Sequence, residues 1–346
     1  MSAEPPKIRF RDMQIEMAHG AGGKASRRLV EGLFAPLLFP SSTEPLGDAA
    51  HVSINGTRIA ITTDSFVVKP LRFPGGSIGE LAINGTVNDL AVSGARAEAL
   101  VVTFVLEAGL PTEILEAEVR AMAKAAVAAG VIISGGDTKV VENGKADRMY
   151  ITTAGIGRPM SGLNLSAASV RPGDKVLLSG PIGDHGITIL LARGELDLEA
   201  ELCSDTRPVL PLIEALAREA ATGIRWMRDP TRGGLATSLN ELARDAGVGI
   251  FLLEDSIPVR DTVRGACELL GLDPLHIANE GQFVAIVAPE FADAGLAALR
   301  AAPGGHQAAL IGEIREQPVA TVLGATSYGG TRVIDMLVGD PLPRIC

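Results

Sequence analysis

Aromatic residues and cysteines are scarce in this sequence. Phe, Trp and Tyr make up 3% of the 346 residues, so the core must be built mainly from aliphatic side chains. The three cysteines, Cys203, Cys267 and Cys346, form no C-x-x-C pair, which argues against a disulfide framework and favours a reducing compartment. We therefore expect a cytoplasmic protein.

Long apolar runs and an excess of positive charge are also lacking. The most apolar window, 121–134, contains Lys124 and is too short to span a bilayer, and the first residues lack the apolar stretch of a signal peptide. The net charge is −10, and an acidic surface repels nucleic-acid phosphates and anionic lipids. We expect neither a nucleic-acid partner nor a membrane, whereas anionic substrates held by Mg²⁺ remain compatible with this charge.

Glycine, in contrast, is abundant, at 40 of 346 residues, and is clustered. A chain of this length corresponds to about two domains. Strand and helix patterns mix without a regular βαβ order, which predicts an α+β fold. We predict four segments: a leader with a glycine-rich loop (1–45), an N-terminal domain (46–165), a C-terminal α+β domain (166–338) and a flexible tail (339–346).

Hydrophobic periodicity places the elements along the chain. The clearest helix is 111–130, where Pro111 suits a first turn and Gly130 an end. We predict a short buried strand over 131–134, followed by a turn at Gly135-Gly136-Asp137. Cys203 is predicted to lie at the front of a helix that covers 208–221.

Four aspartates in the first half lie in turn-like settings, and three of them follow or flank apolar runs, where the edge of an element is expected. Carboxylates that converge from several element ends can hold Mg²⁺ at a nucleotide, because the ion prefers hard oxygen ligands. Aspartate is also common at helix caps and turns, so each one alone is equally compatible with a structural role. The four candidate metal ligands are Asp48, Asp64, Asp89 and Asp137.

A glycine-rich loop, 20–24, precedes a predicted helix. Its backbone N–H groups could approach phosphates, and Lys24 could reach one. The spacing is not that of a P-loop, so a flexible turn is the alternative interpretation. The candidate phosphate-binding residues are Gly20, Gly22, Gly23 and Lys24.

Further candidate groups lie in the second half and at the terminus. Asp229 stands between two arginines, and Glu280 lies in a short turn before a strand; both are compatible with ordinary turn chemistry. His185 follows Asp184 and could be a base or half of a surface pair. Cys346 ends a proline-stiffened tail, where its thiol could visit more than one location, although termini often fray.

Seven motifs together resemble those of the hydrogenase expression/formation proteins of the HypE family. The terminal motif is highly specific, whereas the aspartate and GGDT motifs are shared with the wider superfamily of aminoimidazole ribonucleotide synthetase, selenophosphate synthetase and thiamine-phosphate kinase. The motifs are His19-Gly-Ala-Gly-Gly23, Phe73-Pro-Gly-Gly76, Asn88-Asp-Leu90, Gly135-Gly-Asp-Thr-Lys139, Arg228-Asp-Pro-Thr-Arg-Gly-Gly-Leu235, Ala278-Asn-Glu-Gly281 and Pro343-Arg-Ile-Cys346.

The resemblance implies a two-domain aminoimidazole ribonucleotide synthetase-like fold and a homodimer whose N-terminal sheets form a barrel. It implies that the partner HypF carbamoylates Cys346, that ATP and Mg²⁺ drive dehydration of this thiocarboxamide to a thiocyanate, and that the cyano group passes to iron on a HypC–HypD complex, which supplies nickel–iron hydrogenase with cyanide.

For this reaction we assign roles by residue type. The 46–165 domain is expected to bind ATP and Mg²⁺ and to dimerise, with Asn88 and Thr138 as further nucleotide contacts. Glu280 is our preferred general base, Lys139 would stabilise charge, and His185 is a weaker base candidate.

Two alternative functions follow from the same residues. The first is another ATP-dependent enzyme of the superfamily; a selenophosphate synthetase would be expected to carry a Cys or selenocysteine near its N-terminus, and no cysteine precedes Cys203. The second is a non-enzymatic carrier that only presents the terminal thiol, which the aspartates argue against. Measurement of ATP hydrolysis separates an enzyme from a carrier.

Overall fold

The computed structural model describes residues 9–39, 46–194, 201–326, 328–339, 342 and 344–346. Within these ranges the chain forms a five-stranded sheet in its first half and a seven-stranded sheet in its second, with helices against both. The predicted α+β class and the division into two domains are confirmed. No helix in the described ranges is long and apolar enough to cross a membrane.

The leader is helical, as predicted for 25–38. A first helix passes through a π-helical turn, Val30–Phe34, into a second one. The backbone N–H groups of Lys24 and Ala25 donate to the carbonyl oxygens of Leu337 (2.8 Å) and Val338 (3.2 Å), so the leader is fastened to the segment that precedes the tail. The helices are α1 (Lys24–Leu29) and α2 (Ala35–Leu38).

The N-terminal sheet has the strand order β1-β2-β7-β5-β6, with β5 and β6 parallel and the other pairs antiparallel. Helix α3 lies against one face of this sheet and is buried along almost its whole length. Helix α4 ends at Gly130, whose φ of 67° is the left-handed conformation that glycine adopts readily. The elements are β1 (Ala50–Ile54), β2 (Thr57–Phe66), β3 (Arg72–Phe73), β4 (Gly76–Ser77), α3 (Ile78–Val92), β5 (Ala95–Glu107), α4 (Thr112–Ala129), β6 (Ile132–Val141) and β7 (Met149–Pro159).

The predicted turn at Gly135-Gly136-Asp137 is wrong, because these residues continue strand β6. They pair in register with Val101, Val102 and Thr103 of β5. Glycine is needed at 136 because a Cβ there would lie 1.8 Å from the carbonyl oxygen of Val102. The strand is also not buried: Ile132 and Ile133 are exposed, since β6 is an edge strand of this sheet.

The C-terminal sheet has the strand order β14-β13-β10-β12-β8-β11-β9. One apolar core lies between this sheet and helix α7, and another lies on the side of α6 and α9. The elements are β8 (Lys175–Leu178), α5 (Asp184–Ala192), α6 (Leu210–Ala220), β9 (Ile224–Arg228), α7 (Gly234–Ala246), β10 (Gly249–Leu253), α8 (Asp261–Leu270), β11 (Val284–Val287), α9 (Pro289–Ala301), β12 (Ala309–Arg315), β13 (Thr321–Ala325) and β14 (Thr331–Ile334).

Cys203 does not lie at the front of a helix, contrary to our prediction. Helix α6 begins only at Leu210, with Pro211 in its first turn. The intervening residues 203–207 form an irregular segment between the two domains, in which Cys203 is exposed.

Candidate active site at the domain junction

Three of the four predicted aspartates are brought together, and a fourth carboxylate joins them. Asp48 precedes β1, Asp64 lies on β2 and Asp89 lies near the C-terminal end of α3, while Asp229 follows β9 directly. The Thr62 hydroxyl lies 2.7 Å from the Asp48 carbonyl oxygen and 2.9 Å from Asp89 Oδ2.

The negative charges of these four carboxylates repel one another. Burial raises the pKa of Asp89 well above its usual range, and the charges of Asp229, Asp48 and Asp64 raise it further. The pKa of Asp229 is raised in the same way, first by burial and then by Asp48. Two arginines offset part of this repulsion: Arg228 Nε lies 3.2 Å from Asp48, and Arg232 lies 3.9 Å from Asp64. A cluster of this kind favours a divalent cation.

The carboxylates do not form a metal site by themselves. In the parts of the chain that the structure describes, no three His, Cys, Asp or Glu side chains are close enough to hold a metal ion. Mg²⁺ commonly takes one or two protein carboxylates and completes its shell with waters and substrate phosphates. The cluster fits that mode of binding, in which the nucleotide brings part of the coordination.

Asp137, Thr138 and Lys139 lie away from this cluster within the chain. They are on the exposed edge strand β6, where Lys139 Nζ lies 2.7 Å from Asp137 Oδ2. That lysine and the Thr138 N–H lower the pKa of Asp137, the opposite of the shift at Asp89. Within a single chain, Asp137, Thr138 and Lys139 are therefore not close to the other three predicted ligands.

The glycine-rich loop borders the cluster across a cavity of about 300 Å³. Gly22 has a φ of +76° and lies against Arg232, whose Nη1 donates to the Gly20 carbonyl oxygen (3.1 Å). This places Gly20 and Gly22, two predicted phosphate contacts, beside the carboxylates. The cavity is lined by His19, Gly20, Gly22, Ser26, Val30, Asp48, Arg228, Asp229, Thr231, Arg232, Thr237, Ser238 and Glu241.

Gly23 and Lys24 have other contacts, which corrects their predicted role. Lys24 Nζ pairs with Asp335 (2.5 Å) on the segment that follows β14. A Cβ at position 23 would lie 2.3 Å from the Leu337 carbonyl oxygen, so glycine there allows two backbones to approach. The first amides of α1 are thus occupied by Leu337 and Val338 and do not face a phosphate.

Glu280 lies at the same junction, in the turn that precedes β11. Its side chain is 4% exposed, and burial together with Asp229 and Asp64 raises its pKa well above the usual range. A carboxyl group of raised pKa in a cleft is suited to proton transfer near neutral pH. The position and the shift agree with its predicted role as the base.

Asn88 connects segments of the chain and is not a free nucleotide contact, contrary to our prediction. Its Nδ2 donates to the carbonyl oxygens of Arg207 (3.0 Å) and Glu280 (3.2 Å), and its Oδ1 accepts from the Val209 N–H (2.8 Å). The amide is 1% exposed. Its hydrogen-bonding capacity is therefore used to tie α3 to the C-terminal domain.

His185 holds the tail, which corrects its assignment as a base. Its Nε2 lies 2.7 Å from the Ile345 carbonyl oxygen, and its Nδ1 lies 2.8 Å from the Ser204 hydroxyl. A carbonyl only accepts, so Nε2 carries the proton and Nδ1 accepts from Ser204. Burial lowers the pKa of His185 to about 4, which keeps the ring neutral.

The described residues of the tail are docked against the protein, whereas we predicted a flexible arm. The Val67 N–H donates to the Cys346 carbonyl oxygen (3.0 Å), and the Lys69 N–H donates to that of Arg344 (3.3 Å). Ile345 is 2% exposed and belongs to an apolar core that contains residues of both domains, such as Ile151 and Ile187. Apolar burial thus opposes the mobility that prolines and terminal position suggested.

Comparison with known proteins identifies the family. The family model "AIR synthase related protein, N-terminal domain" matches residues 46–158, and the corresponding C-terminal domain model matches 171–324. The chain is 48% identical to carbamoyl dehydratase HypE of Azotobacter vinelandii, over 98% of this chain and 99% of that protein. It is 46% identical to the protein of that name from Escherichia coli, over 96% and 99%. The chain belongs to the HypE family.

Solved structures of this family share the fold. A HypE–HypF complex superposes with a TM-score of 0.84 at 43% identity, covering 89% of this chain and 99% of that one. HypE in complex with ATP superposes with a TM-score of 0.80 at 44% identity, covering 95% and 99%. A thiamine monophosphate kinase-type structure, AaThiL with AMPPCP and TMP, is 19% identical with a TM-score of 0.66, so that likeness concerns the fold alone. The relatives favour the HypE function over the alternative enzymes of the superfamily.

Sequence reasoning underrated two acidic residues. Asp229, which the sequence leaves open between a functional role and turn chemistry, joins the cluster, and its place between two arginines is the signal that marks it. Asp205 was not singled out, because it lies in an irregular segment without a periodic pattern. In the structure its carboxylate contacts the backbone of Glu280, a relationship between residues 75 positions apart.

Proposed function

We propose that this chain converts a carbamoyl group on Cys346 into a thiocyanate at the junction described above, with ATP and Mg²⁺. The observation that carries this proposal is the docking of the terminal cysteine between the two domains. Its carbonyl bonds Val67, which directly follows the strand that bears Asp64, and its neighbour Ile345 bonds His185. The terminal cysteine is thereby connected to the segment that follows the strand of Asp64 and, through His185 and Ser204, to the segment that contacts Glu280.

The chemistry balances as an amide dehydration. The carbamoyl oxygen attacks the γ-phosphorus of ATP, the new O–P bond replaces the bond to the leaving ADP, and the nitrogen loses one proton. Loss of the second nitrogen proton, cleavage of the C–O bond and departure of phosphate then give the C≡N triple bond. Mg²⁺, when bound, supplies neutralisation of phosphate charge.

The protein residues have separate roles in this scheme. Glu280 accepts the proton from nitrogen, because it is buried at the junction near Asp229 and Asp64, whose charges together with burial raise its pKa and so its basicity. Asp48, Asp64, Asp89 and Asp229 provide the carboxylates from which the metal takes one or two ligands. Gly20 and Gly22, which line the cavity beside these carboxylates, would cover the phosphates.

A homodimer is part of the proposal, because an apolar row crosses the solvent face of the N-terminal sheet. The register places Ile61 opposite Ile156, Ile156 opposite Ala99, and Ala99 opposite Ile132. The three isoleucines are 37%, 47% and 65% exposed, respectively. A second copy packed on this face would form the predicted barrel and would bring its own Asp137, Thr138 and Lys139 to the joint interface. In that setting they remain candidates for metal, nucleotide and charge contacts.

The partners and the location complete the proposal. A relative is solved as a HypE–HypF complex, and we infer that a HypF-type carbamoyltransferase loads Cys346 here too. A HypC–HypD complex is the proposed acceptor of the cyano group. A reduced thiol is required for loading, which agrees with the expected cytoplasmic location.

Intact-mass spectrometry tests the function directly. The wild-type chain, incubated with the carbamoyltransferase, its substrates and ATP, should gain about 43 Da and then lose about 18 Da as the amide becomes a nitrile. Cys346→Ala should show neither change, and the matched control Cys203→Ala should behave as wild type. A wild-type chain that keeps the first adduct in the presence of ATP would indicate a carrier and not a dehydratase.

A further inference from the structure

The turn that carries Glu280 is held by side chains from two other segments. The Glu280 N–H donates to Asp205 Oδ1 and the Gly281 N–H to Asp205 Oδ2, both at 3.1 Å. On the opposite side, Asn88 Nδ2 donates to the Glu280 carbonyl oxygen (3.2 Å), and Arg207 Nε donates to that of Gly281 (3.0 Å). Both backbone polar groups of Glu280 are therefore fixed.

We propose that Asp205 is a positioning residue, whose carboxylate grips two successive N–H groups and so sets the direction in which the Glu280 side chain leaves the backbone. This inference rests on the proposed role of Glu280 as the base. A proton acceptor must lie within hydrogen-bond reach of the nitrogen that it deprotonates, so the direction of its side chain affects the rate.

The contact between Asp205 and the Glu280–Gly281 backbone is close and depends on the residue types at both positions. A Cβ at position 281 would lie 1.8 Å from the Asp205 carbonyl oxygen, so only glycine allows the two backbones to meet here. A carboxylate offers one acceptor oxygen to each N–H, which an amide side chain cannot do. Hydrogen bonds to a charged acceptor are also stronger than neutral ones.

The segment that contains Asp205 reaches the docked tail and the N-terminal domain as well. Ser204 bonds His185, which holds Ile345. Thr206 Oγ1 accepts from Asn84 of helix α3 (3.2 Å). Residues 204–206 thus contact three parts of the protein: His185, which bonds the tail, helix α3, which carries Asp89, and the turn that carries Glu280. Asp205 is the member of this segment that acts on the base.

The variant Asp205→Asn tests the two hydrogen bonds that Asp205 accepts from Glu280 and Gly281. It keeps the size of the side chain but places an NH₂ group against one of the two N–H groups, so the turn should shift. Because a misplacement of about 1 Å can cost on the order of 100-fold, we expect the rate of dehydration of carbamoylated Cys346 to fall about 10- to 100-fold. Carbamoyl loading and the KM for ATP should stay within about 2-fold, since a lost transition-state contact lowers kcat more than binding.

Asp174→Asn is the matched control. Asp174 is a buried carboxylate of the C-terminal domain that accepts a backbone N–H, from Arg171 at 2.8 Å, and it contacts none of the site residues described above. Hydrogen exchange then measures the two hydrogen bonds directly. The amides of Glu280 and Gly281 should exchange faster in Asp205→Asn than in the wild type, and at the wild-type rate in Asp174→Asn. Equal losses of rate in both variants would mean a general structural effect and would overturn the proposal.

A double-mutant cycle with Glu280→Gln separates this inference from the proposed function. If Asp205 acts through Glu280, Asp205→Asn should lower the rate in the wild-type background and have little further effect in Glu280→Gln. Additive losses would overturn the positioning role, as would a normal rate in Asp205→Asn. A normal rate in Glu280→Gln alone would instead refute the assignment of Glu280 as the base.

Discussion

The backbone N–H of Val67 donates a 3.0 Å hydrogen bond to the carbonyl oxygen of Cys346, which joins the N-terminal domain to the last residue of the chain. Two residues further on, Lys69 bonds Arg344 in the same way, so 67 pairs with 346 and 69 with 344. This opposite numbering is that of an antiparallel pair of strands. The tail is thus held by its backbone, and the intervening Ile345 buries its side chain. These contacts involve the main chain and the Ile345 side chain, so they hold the terminus in place without using the Cys346 thiol.

His185→Ala should loosen the tail, which Val67 and Lys69 still hold, because it removes the Nε2–H that bonds the Ile345 carbonyl oxygen. Alkylation of Cys346 by a small thiol reagent, followed by peptide mass spectrometry, should then be faster, by about 5- to 10-fold for the loss of roughly 1 kcal/mol of hydrogen bonding. His276→Ala is the control, because His276 bonds the Asp335 carbonyl oxygen (2.9 Å) and not the tail, so its loss should leave the rate at Cys346 unchanged. An unchanged rate at Cys346 would show that His185 does not hold the tail.

Asp89→Asn should raise the stability of the metal-free protein and lower its activity. Burial and neighbouring carboxylates raise the pKa of Asp89, so its charge destabilises the metal-free fold as pH rises above the usual range of an Asp. An Asn Oδ1 can still accept from Thr62, so we expect a melting temperature a few degrees higher at pH 8 without nucleotide. ATP-dependent dehydration should fall by at least about 100-fold, because a potential Mg²⁺ ligand is lost.

Asp137→Asn is the comparison for that experiment. Asp137 is exposed on β6, and Lys139 and Thr138 lower the pKa of its carboxyl group, so the substitution should not stabilise the metal-free protein. If dehydration nevertheless falls as far as in Asp89→Asn, Asp137 belongs to the metal site at the dimer interface. Normal turnover in both variants would refute the metal assignment.

Local pattern predicted the elements well and the contacts between them less well. Pro111 and Gly130 marked the ends of α4 because capping depends on the residue itself. Gly135–Asp137 was misassigned because a glycine pair that signals a turn also allows close strand pairing, and only the partner strand decides between them. Residue type likewise marked Asp64 and Glu280, which the fold brings close enough together for their charges to interact.

Roles that depend on distant partners could not be predicted. Asn88 and His185 have the residue types of active-site groups, but their hydrogen-bonding atoms are taken by Arg207, Glu280 and Ile345, which are more than 100 positions away. Asp205 lies in an irregular segment, and only the structure shows that its carboxylate accepts from the N–H groups of Glu280 and Gly281. Long-range hydrogen bonds leave no periodic trace in a sequence.

Ile156→Lys should prevent dimer formation. Ile156 lies in the apolar row between Ile61 and Ile132, and a lysine there would place two like charges near each other in the proposed interface. Sedimentation at micromolar concentration should give a dimer for the wild type and a monomer for the variant. Val127→Lys is the control, since Val127 is 82% exposed on helix α4 and is not part of the row. A monomeric wild type would contradict the proposal.

The pH dependence of stability should report His185. Burial lowers its pKa from 6.5 to about 4 in the folded chain, so between these values the unfolded chain binds one more proton than the folded one. Stability therefore falls as pH decreases from about 6.5 to about 4, by up to about 3 kcal/mol from this group.

His185→Gln should flatten that dependence, because the Gln amide can still donate to the Ile345 carbonyl oxygen but does not titrate in this range. Chemical unfolding at several pH values between 4.5 and 7 measures the slope. His276→Gln is the control: His276 also bonds a main-chain carbonyl, that of Asp335 at 2.9 Å, but in an exposed setting. If the slope of His185→Gln equals that of the wild type, the folded and unfolded chains bind the same number of protons at His185, which would show that burial does not lower its pKa.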